Sequence, residues 1–120
     1  LSTAEIESSL VAHSKVAEAA VVGAADDTSG QAVIAFVIVV GGVEDSAETA
    51  EELRQHVGKD IGPIAKPKKV HIVTDLPKTR SGKIMRRLLK DVAENREIGN
   101  TMTLADASVM DSIEKSVAKV

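Results

Sequence analysis

Apolar residues near the start of the chain repeat at a helical spacing, and a helix start signal precedes them. Ser2 and Glu5 have the spacing of a capping box, in which each side chain accepts a free backbone N–H. Leu1 and Ile6 are placed to form the hydrophobic staple that accompanies such a start. These signals predict a first helix that runs to about His13. Its apolar face consists of Ile6, Leu10 and Val11.

Two apolar runs that follow are rich in β-branched residues and short, so they predict strands. The first covers residues 16–23 and the second covers residues 33–40. Turn-forming residues 26–30 lie between them, and this short connection favours antiparallel pairing. The second run is almost continuously apolar, which indicates a strand covered on both faces.

The rest of the pattern predicts three helices and one more strand. These are a helix over 48–61, a strand over 69–73, a helix from near Ser81 to past Val92, and a short final helix over 104–117. Because the strands are few and interleaved with helices, we expect an α+β fold with a small three-stranded sheet flanked by helices, in the order α-β-β-α-β-α. Residues 1–120 are expected to be one domain, with a compact core over 1–99 and a tail helix in 100–120.

Composition narrows the classes of protein to which the chain can belong. Hydrophobic residues make up 43% and charged residues 28% of its 120 residues, which is typical of one globular domain. Cysteine is absent, which excludes disulfides and thiolate metal sites. The longest apolar run has about nine residues, whereas a membrane span needs roughly 20. No secretory signal opens the chain, so we expect a cytoplasmic location and no membrane partner.

Charge is distributed unevenly along the chain. Residues 66–90, the basic segment, contain nine basic residues and one acid, giving a formal charge of +8 against −11 for the remainder. Phe36 is the only aromatic residue, so the chain lacks the stacking surface that proteins use to bind single-stranded nucleic acid. We therefore expect function in the basic segment, with no nucleic-acid partner. The alternative is a free-standing basic module that docks nucleic acid or an acidic protein.

The sequence PKTRSGKIMRR, residues 77–87, is the most informative part of the basic segment. Lys83 is predicted in the first turn of the third helix, with Ser81 as N-cap, where the helix dipole disfavours a cation by a few tenths of a kcal/mol. Stability alone would place acids here, so Lys83 is expected to meet an anion from outside the chain. Gly82 lets another surface approach the backbone closely.

Two other interpretations of residues 77–87 start from their composition. A solvated basic helix face fits the composition equally well. A phosphate-binding P-loop does not fit, because its pattern requires glycine at Pro77 and serine or threonine at Ile84.

Residues 77–87 resemble the C-terminal signature of adenylate-forming enzymes, the acyl-CoA synthetase and luciferase-like superfamily, in the form found in acetyl-CoA synthetases. The similarity extends to LSTAEIESSLVAHSKVAEAAVVG, IGPIAKPKKV and NTMTLAD. The resemblance implies the mobile C-terminal domain of a ligase that uses ATP, Mg²⁺ and CoA to convert acetate to acetyl-AMP and then to acetyl-CoA. Its partner would be the N-terminal domain of the same enzyme, and the isolated chain is expected to be inactive.

The resemblance also implies roles for residues of the motif. Lys83 corresponds to the catalytic lysine that bridges the acetate carboxylate and the ATP α-phosphate, with Gly82 as a cofactor-binding neighbour. Lys83 also corresponds to a regulatory acetylation site, modified by a protein lysine acetyltransferase and restored by a sirtuin-type deacetylase. Arg86 and Arg87 would help such a partner to dock, or would only solvate the helix.

Two weaker sites are implied by single positions. The residues that correspond to a Mg²⁺ loop, which binds largely through main-chain oxygens, are Val11, His13 and Val16. Without the resemblance, the pattern favours His13 as merely the end of a helix. Many relatives have an arginine that contacts CoA phosphates at the position of Gly58. Glycine cannot make that contact, so Lys59 or Arg54 would replace it.

Overall fold

The polypeptide forms a small sheet with helices on both of its faces. The computed structural model describes residues 2–27 and 30–118. In chain order the elements are α1 (Thr3–Val11), β1 (Val16–Asp26), β2 (Gly30–Val39), α2 (Ala47–Asp60), a 3₁₀ turn (Pro63–Ala65), β3 (Lys69–Ile72), α3 (Arg86–Ala93) and α4 (Ser108–Ala118). The predicted α+β class and the order α-β-β-α-β-α are confirmed over the described residues. The predicted final helix is α4, which begins at Ser108 rather than at residue 104.

The three strands are joined in the order β1-β2-β3, so β2 lies in the middle of the sheet. β1 and β2 are antiparallel, as their short connection predicted, and their pairing continues to Asp26 opposite Gly30, beyond the predicted end of the first strand. β2 and β3 are parallel, with Phe36 opposite His71. A parallel partner requires a long crossover connection, and α2 lies in that connection.

β2 separates two hydrophobic clusters because successive side chains of a strand point to opposite faces. Ile34 and Phe36 belong to a cluster with α3 and α4, whereas Ala35 and Val37 belong to a cluster with α1 and α2. All four side chains are buried. The continuous apolar run of this strand is therefore explained by burial on both faces, as predicted.

Serine hydroxyls cap the first two helices. Ser2 Oγ accepts the N–H of Glu5 at 3.3 Å, which confirms the predicted N-cap of α1. α2 begins in the same way at Ser46, whose Oγ accepts a backbone N–H three residues further on at 3.2 Å. The predicted staple between Leu1 and Ile6 lies outside the described residues, which begin at residue 2.

The third helix begins later than predicted, and this changes the environment of Lys83. α3 starts at Arg86 with Met85 as its N-cap, rather than near Ser81. Gly82 has a φ of +91°, which a right-handed helix does not accommodate. The prediction that Lys83 lies in the first turn of a helix capped by Ser81 is therefore wrong.

The C-terminal helix contributes to the core. Val109, Met110 and Ile113 of α4 are buried in the same cluster as Phe36. This packing ties the tail to the sheet, while the division of the domain at residue 99 remains a prediction. In the described ranges no helix combines the length and apolar character that a membrane crossing requires.

His71 of β3 is buried, and one of its ring nitrogens has no hydrogen-bond partner among the described residues. Only 4% of the residue's surface is exposed, and the nitrogen in question is Nδ1. Its ring centroid lies 5.4 Å from that of Phe36. Burial, and to a smaller extent the charge of Lys69, lower the pKa of His71 below its ordinary value. The fold therefore favours the neutral imidazole.

We expect the free energy of unfolding to fall as the pH is lowered from about 7.5 to about 5. The unfolded chain protonates His71 near pH 6.5, whereas the folded chain does so only at lower pH, so acid favours the unfolded state. His71→Leu should flatten this dependence. Chemical denaturation at several pH values measures the slope. If the free energy of unfolding of His71→Leu kept the same dependence on pH, His71 would not be its cause.

Candidate active-site lysine loop

Residues 77–85 form a hairpin-like loop between β3 and α3, which we call the lysine loop. Two backbone hydrogen bonds join its two arms, from the Thr79 N–H to the Lys83 carbonyl at 2.9 Å and from the Met85 N–H to the Pro77 carbonyl at 2.8 Å. Together they make Lys78 and Ile84 an antiparallel pair. Because these backbone groups pair across the loop, they are not available for helical bonds, and α3 begins only after them.

Gly82 and Thr79 shape the tip of the lysine loop. The Gly82 N–H donates to the Thr79 carbonyl at 2.9 Å, and the φ of Gly82 is one that L side chains rarely adopt. The Thr79 hydroxyl accepts the N–H of Lys83 at 3.1 Å and lies 3.0 Å from the Ser81 hydroxyl. Gly82 thus has a conformational role in the turn, and its contact with a cofactor remains a prediction.

Lys83 presents an exposed side chain from an ordered backbone. Its N–H and its carbonyl are both hydrogen-bonded to Thr79. Its side chain is exposed, and no hydrogen bond or ion pair of its ammonium occurs with any other described residue. The loop, rather than a helix dipole, therefore presents an unpaired cation that is available to an anion from outside the chain.

Ion pairs to the N-terminal elements hold both arms of the lysine loop. Lys78 Nζ lies 2.7 Å from Glu18 Oε1 of β1. Immediately after the loop, Arg86 donates from Nε and a terminal nitrogen to the two carboxylate oxygens of Glu7, at 2.9 and 2.7 Å. These hydrogen bonds raise the pKa of Arg86 above its ordinary value. Sequence reasoning missed both acids, because neither belongs to a local motif with its partner.

The two arginines that were predicted to dock a partner make contacts within the domain. Arg86 pairs with Glu7 of α1, and Arg87 donates to the Asn100 carbonyl at 2.8 Å. Both arginines are exposed, so each keeps part of its guanidinium at the surface. Their contacts give both residues a structural role, whereas docking is untested.

Residues 101–105 lie beside the lysine loop and extend its backbone pairing. Leu104 pairs antiparallel with Thr79, and the Ala105 N–H donates to the Lys78 carbonyl at 2.9 Å. Leu104 is buried in the cluster around Phe36. This segment therefore anchors the loop to the core, a contact that no local sequence signal predicts.

Ion pairs neutralise part of the basic segment. The pairs are Lys68 with Asp26, Lys78 with Glu18, and Arg86 with Glu7. All three acids belong to α1 or β1, so charges that are separated along the sequence meet in the fold. Arg80 and Lys83, near the loop tip, have no ion pair within the part of the chain that the structure describes. The internal pairs reduce the basic face that a docking module would need.

The turn between α1 and β1 contains the residues associated with Mg²⁺, which are Val11, His13 and Val16. The imidazole of His13 is already engaged, since Nδ1 accepts the Lys15 N–H at 3.1 Å and Nε2 lies 3.3 Å from Glu52 Oε2. The His13 carbonyl accepts the Val16 N–H at 3.1 Å, which uses one of its two lone pairs. Among the described residues, no three His, Cys, Asp or Glu side chains are grouped to hold a metal. Binding of Mg²⁺ through the main-chain oxygens of Val11, His13 and Val16 therefore stays a prediction.

Gly58 on α2 lies against the side chain of Lys66. A Cβ at Gly58 would come within 2.7 Å of Lys66 Cγ, so the lysine stem fills the space where a side chain at position 58 would begin. Arg54 donates from Nε to the Pro67 carbonyl at 2.8 Å. Lys59 is exposed in the last turn of α2 and has no ion pair in the described ranges. Of the two residues expected to replace the missing arginine, Lys59 is the less constrained.

The fold and the loop together define a class of protein. It is a small α+β domain in which ion pairs and backbone hydrogen bonds hold a loop, and one lysine of that loop is exposed and has no ion pair with the described residues. The family model described as AMP-binding enzyme C-terminal domain matches residues 5–83, from α1 to the lysine loop. The chain belongs to this family.

Curated relatives extend the match beyond the lysine loop. The acetyl-coenzyme A synthetase of Streptomyces coelicolor is 62% identical over 114 residues, and that of Mycolicibacterium smegmatis is 62% identical over 117 residues. The matches cover 95% and 97% of this chain but only 18% and 12% of the two relatives. The chain therefore spans less than a fifth of the length of these relatives.

Solved structures share the fold. A crystal structure of Brucella canis acyl-CoA synthetase matches with a TM-score of 0.71 and 46% identity, over 74% of this chain and 16% of its own. A benzoate CoA ligase from Burkholderia xenovorans matches with a TM-score of 0.69 and 40% identity, over 75% of this chain and 18% of its own. In both, the similar part is a small portion of a longer chain.

Gly82→Ala tests the conformation of the loop tip. The added methyl group meets no atom within 4 Å, so the change acts through the φ of +91°, and we expect the free energy of unfolding to fall by about 1–2 kcal/mol. Gly41→Ala is the matched control, because that site is equally open and has no left-handed φ. It should be neutral or slightly stabilising. Equal effects of the two substitutions in chemical denaturation would show that the tip conformation is not the cause.

Proposed function

We propose that the chain is the C-terminal domain of an AMP-forming acetate–CoA ligase, and that Lys83 supplies the positive charge for its first half-reaction. Membership of the family and the relatives named acetyl-coenzyme A synthetase support this enzyme class. The observation that carries the proposal is the exposed Lys83 ammonium, unpaired within the described residues, on a loop held at Lys78 and Arg86.

In the first half-reaction an acetate oxygen attacks the α-phosphorus of ATP, and pyrophosphate leaves as acetyl-AMP forms. Acetate and the α-phosphate are both anions, so their approach is opposed by charge repulsion. The Lys83 ammonium, placed between them, reduces this repulsion and stabilises the charge that develops on the phosphate oxygens. A lysine suits the task because its charge is compact and its flexible stem can reach a pocket on the N-terminal domain.

The second half-reaction requires another orientation of the domain. The CoA thiol loses its proton and attacks the acetyl carbonyl carbon of acetyl-AMP, and AMP leaves as acetyl-CoA forms. Rotation against the N-terminal domain would withdraw Lys83 from the pocket, and no step of thioester formation needs its charge. Lys59, exposed on α2, is the residue that we propose to contact the phosphates of CoA.

Gly82 and the turn after α1 complete the proposed site. The open space around Gly82 permits close approach of its backbone to the nucleotide. Mg²⁺ would be held by main-chain oxygens of Val11, His13 and Val16, where it supplies positive charge that orders the turn. A cytoplasmic location is part of the same proposal.

Lys83 is also proposed as a site of reversible acetylation. Its side chain is exposed and its ammonium is unpaired within the described residues, so a protein lysine acetyltransferase can reach it. Transfer of the acetyl group from acetyl-CoA to Nζ releases CoA and a proton and removes the charge on which adenylation depends. A sirtuin-type deacetylase would restore the amine. The exposed parts of Arg86 and Arg87 would form the docking surface for the acetyltransferase.

Lys83→Ala in the full-length enzyme that contains this chain should separate the two half-reactions. ATP–pyrophosphate exchange should fall about 100-fold or more, because a charge that stabilises the transition state is lost. Formation of acetyl-CoA from supplied acetyl-AMP should change by less than about threefold.

Lys69→Ala is the matched control, since it removes the same charge from an exposed lysine of the basic segment. Both half-reactions should persist in this variant. If Lys83→Ala also retains both half-reactions, the proposed role is wrong. Strong, salt-sensitive binding of an acidic partner through residues 66–90 would then favour the docking module.

Acetylation provides a chemical test of the same lysine. Incubation of the full-length enzyme with acetyl-CoA and a protein lysine acetyltransferase should modify Lys83 in preference to the ion-paired Lys68 and Lys78. Pyrophosphate exchange should be lost and thioester formation kept, and deacetylation should restore the exchange. Peptide mass spectrometry locates the modification. Equal acetylation of all three lysines would argue against Lys83 as a specific target.

A further inference from the structure

Two glutamates outside the lysine loop form ion pairs at its two ends, one near the start of the loop and one directly after it. Glu18 of β1 pairs with Lys78, and Glu7 of α1 pairs with Arg86. Lys83 lies between these two anchored positions. We infer that Glu7 and Glu18 are positioning residues for Lys83, an inference that rests on the proposed role of that lysine in adenylation.

Glu7 connects three elements across the open edge of the sheet. α1 and α3 pack on opposite faces, and β1 is an edge strand between them. One Glu7 carboxylate oxygen accepts the Val21 N–H of β1 at 3.0 Å, a donor at the edge of the sheet that no other described strand satisfies. Both oxygens accept from Arg86, at 2.9 and 2.7 Å. The carboxylate therefore holds the start of α3 against the edge of the sheet.

The paired hydrogen bonds between Glu7 and Arg86 fix the relative orientation of the two side chains as well as their distance. Two parallel hydrogen bonds between a guanidinium and a carboxylate fix the orientation of both groups. The Glu7 side chain is 16% exposed and that of Arg86 is 46% exposed, so solvent screens the carboxylate less than the guanidinium. Glu18 and Lys78 form a single contact, and their side chains are 41% and 31% exposed. Glu7 should therefore contribute more to positioning than Glu18.

Backbone pairing carries these two constraints to Lys83. The arms of the lysine loop are joined by the hydrogen bonds that link Pro77 with Met85 and Thr79 with Lys83. A shift at Lys78 or Arg86 would therefore move the loop tip as a unit. Because a misplacement of about 1 Å in a reacting geometry can reduce a rate about 100-fold, small shifts here bear on adenylation.

Glu7→Gln and Glu18→Gln in the full-length enzyme test the inference, because each removes a charge and keeps the shape of the side chain. Glu7→Gln should lower kcat for pyrophosphate exchange about tenfold or more, and Glu18→Gln about two- to threefold. The KM for ATP and thioester formation from acetyl-AMP should remain near wild type. Glu48→Gln, at an exposed position in the first turn of α2, is the matched control and should change none of these.

Hydrogen exchange gives a second readout that does not depend on activity. In Glu7→Gln the backbone amides of Thr79, Lys83 and Met85 should exchange faster, whereas amides in the middle of β2 should keep their protection. Arg86→Gln removes the same ion pair and leaves Glu7 as the acceptor of the Val21 N–H, so the exchange of these three amides should also become faster in this variant. This substitution also serves if Glu7→Gln alone fails to fold.

The outcomes distinguish this inference from the proposed function. The inference would be overturned if Glu7→Gln changed neither the hydrogen exchange of the loop amides nor the rate of adenylation. It would also be overturned if Glu7→Gln reduced both half-reactions equally, because equal loss indicates general destabilisation. If Lys83→Ala leaves adenylation intact, the proposed function fails. The role of Glu7 in ordering the loop is then decided by hydrogen exchange alone.

Discussion

The alternation of side chains along β2 is the constraint on which the rest of the domain depends. One strand contributes to both hydrophobic clusters, so each helix layer packs on the same central element. Among the described residues, the buried hydrophobic side chains of the sheet and the helices are Val, Ile, Leu and Ala apart from Phe36 and Met110. Because α1 and α3 are placed by opposite faces of this strand, their side chains can meet only around the edge of the sheet. That edge is where Glu7 and Arg86 form their ion pair.

Acidic and basic residues that are segregated along the sequence form ion pairs in the folded domain. Acids of α1 and β1 meet cations that lie far along the chain, at Lys68, Lys78 and Arg86. The partly buried members, such as Glu7, depend on their partners more than exposed charges do. Lys83 has no such partner among the described residues, although it lies between two paired cations. Within the lysine loop, Arg80 and Lys83 are the cations that have no ion pair with a described residue, and this supports the proposal that the loop tip meets an anion from outside the chain.

The conformation around Lys83 shows how a helical pattern in the sequence can predict the wrong local structure for a residue. The apolar spacing of Ile84, Leu88 and Val92 is helical, and it predicted a helix from near Ser81. The turn at Gly82 and the pairing of Thr79 with Lys83 instead use the backbone groups that a helix would need.

Local signals in the sequence determined much of the secondary structure of this protein, because hydrophobic periodicity and helix capping depend on residues that are close together along the chain. The α+β order, the antiparallel pair, the doubly buried β2 and the cap at Ser2 were all predictable. The motif around Lys83 also indicated the family to which the chain belongs. Only the tertiary structure decided the start of α3, the pairing of Leu104 with Thr79 and the partners of Arg86. Those features join residues that are distant along the chain, and no local pattern encodes which of them will meet.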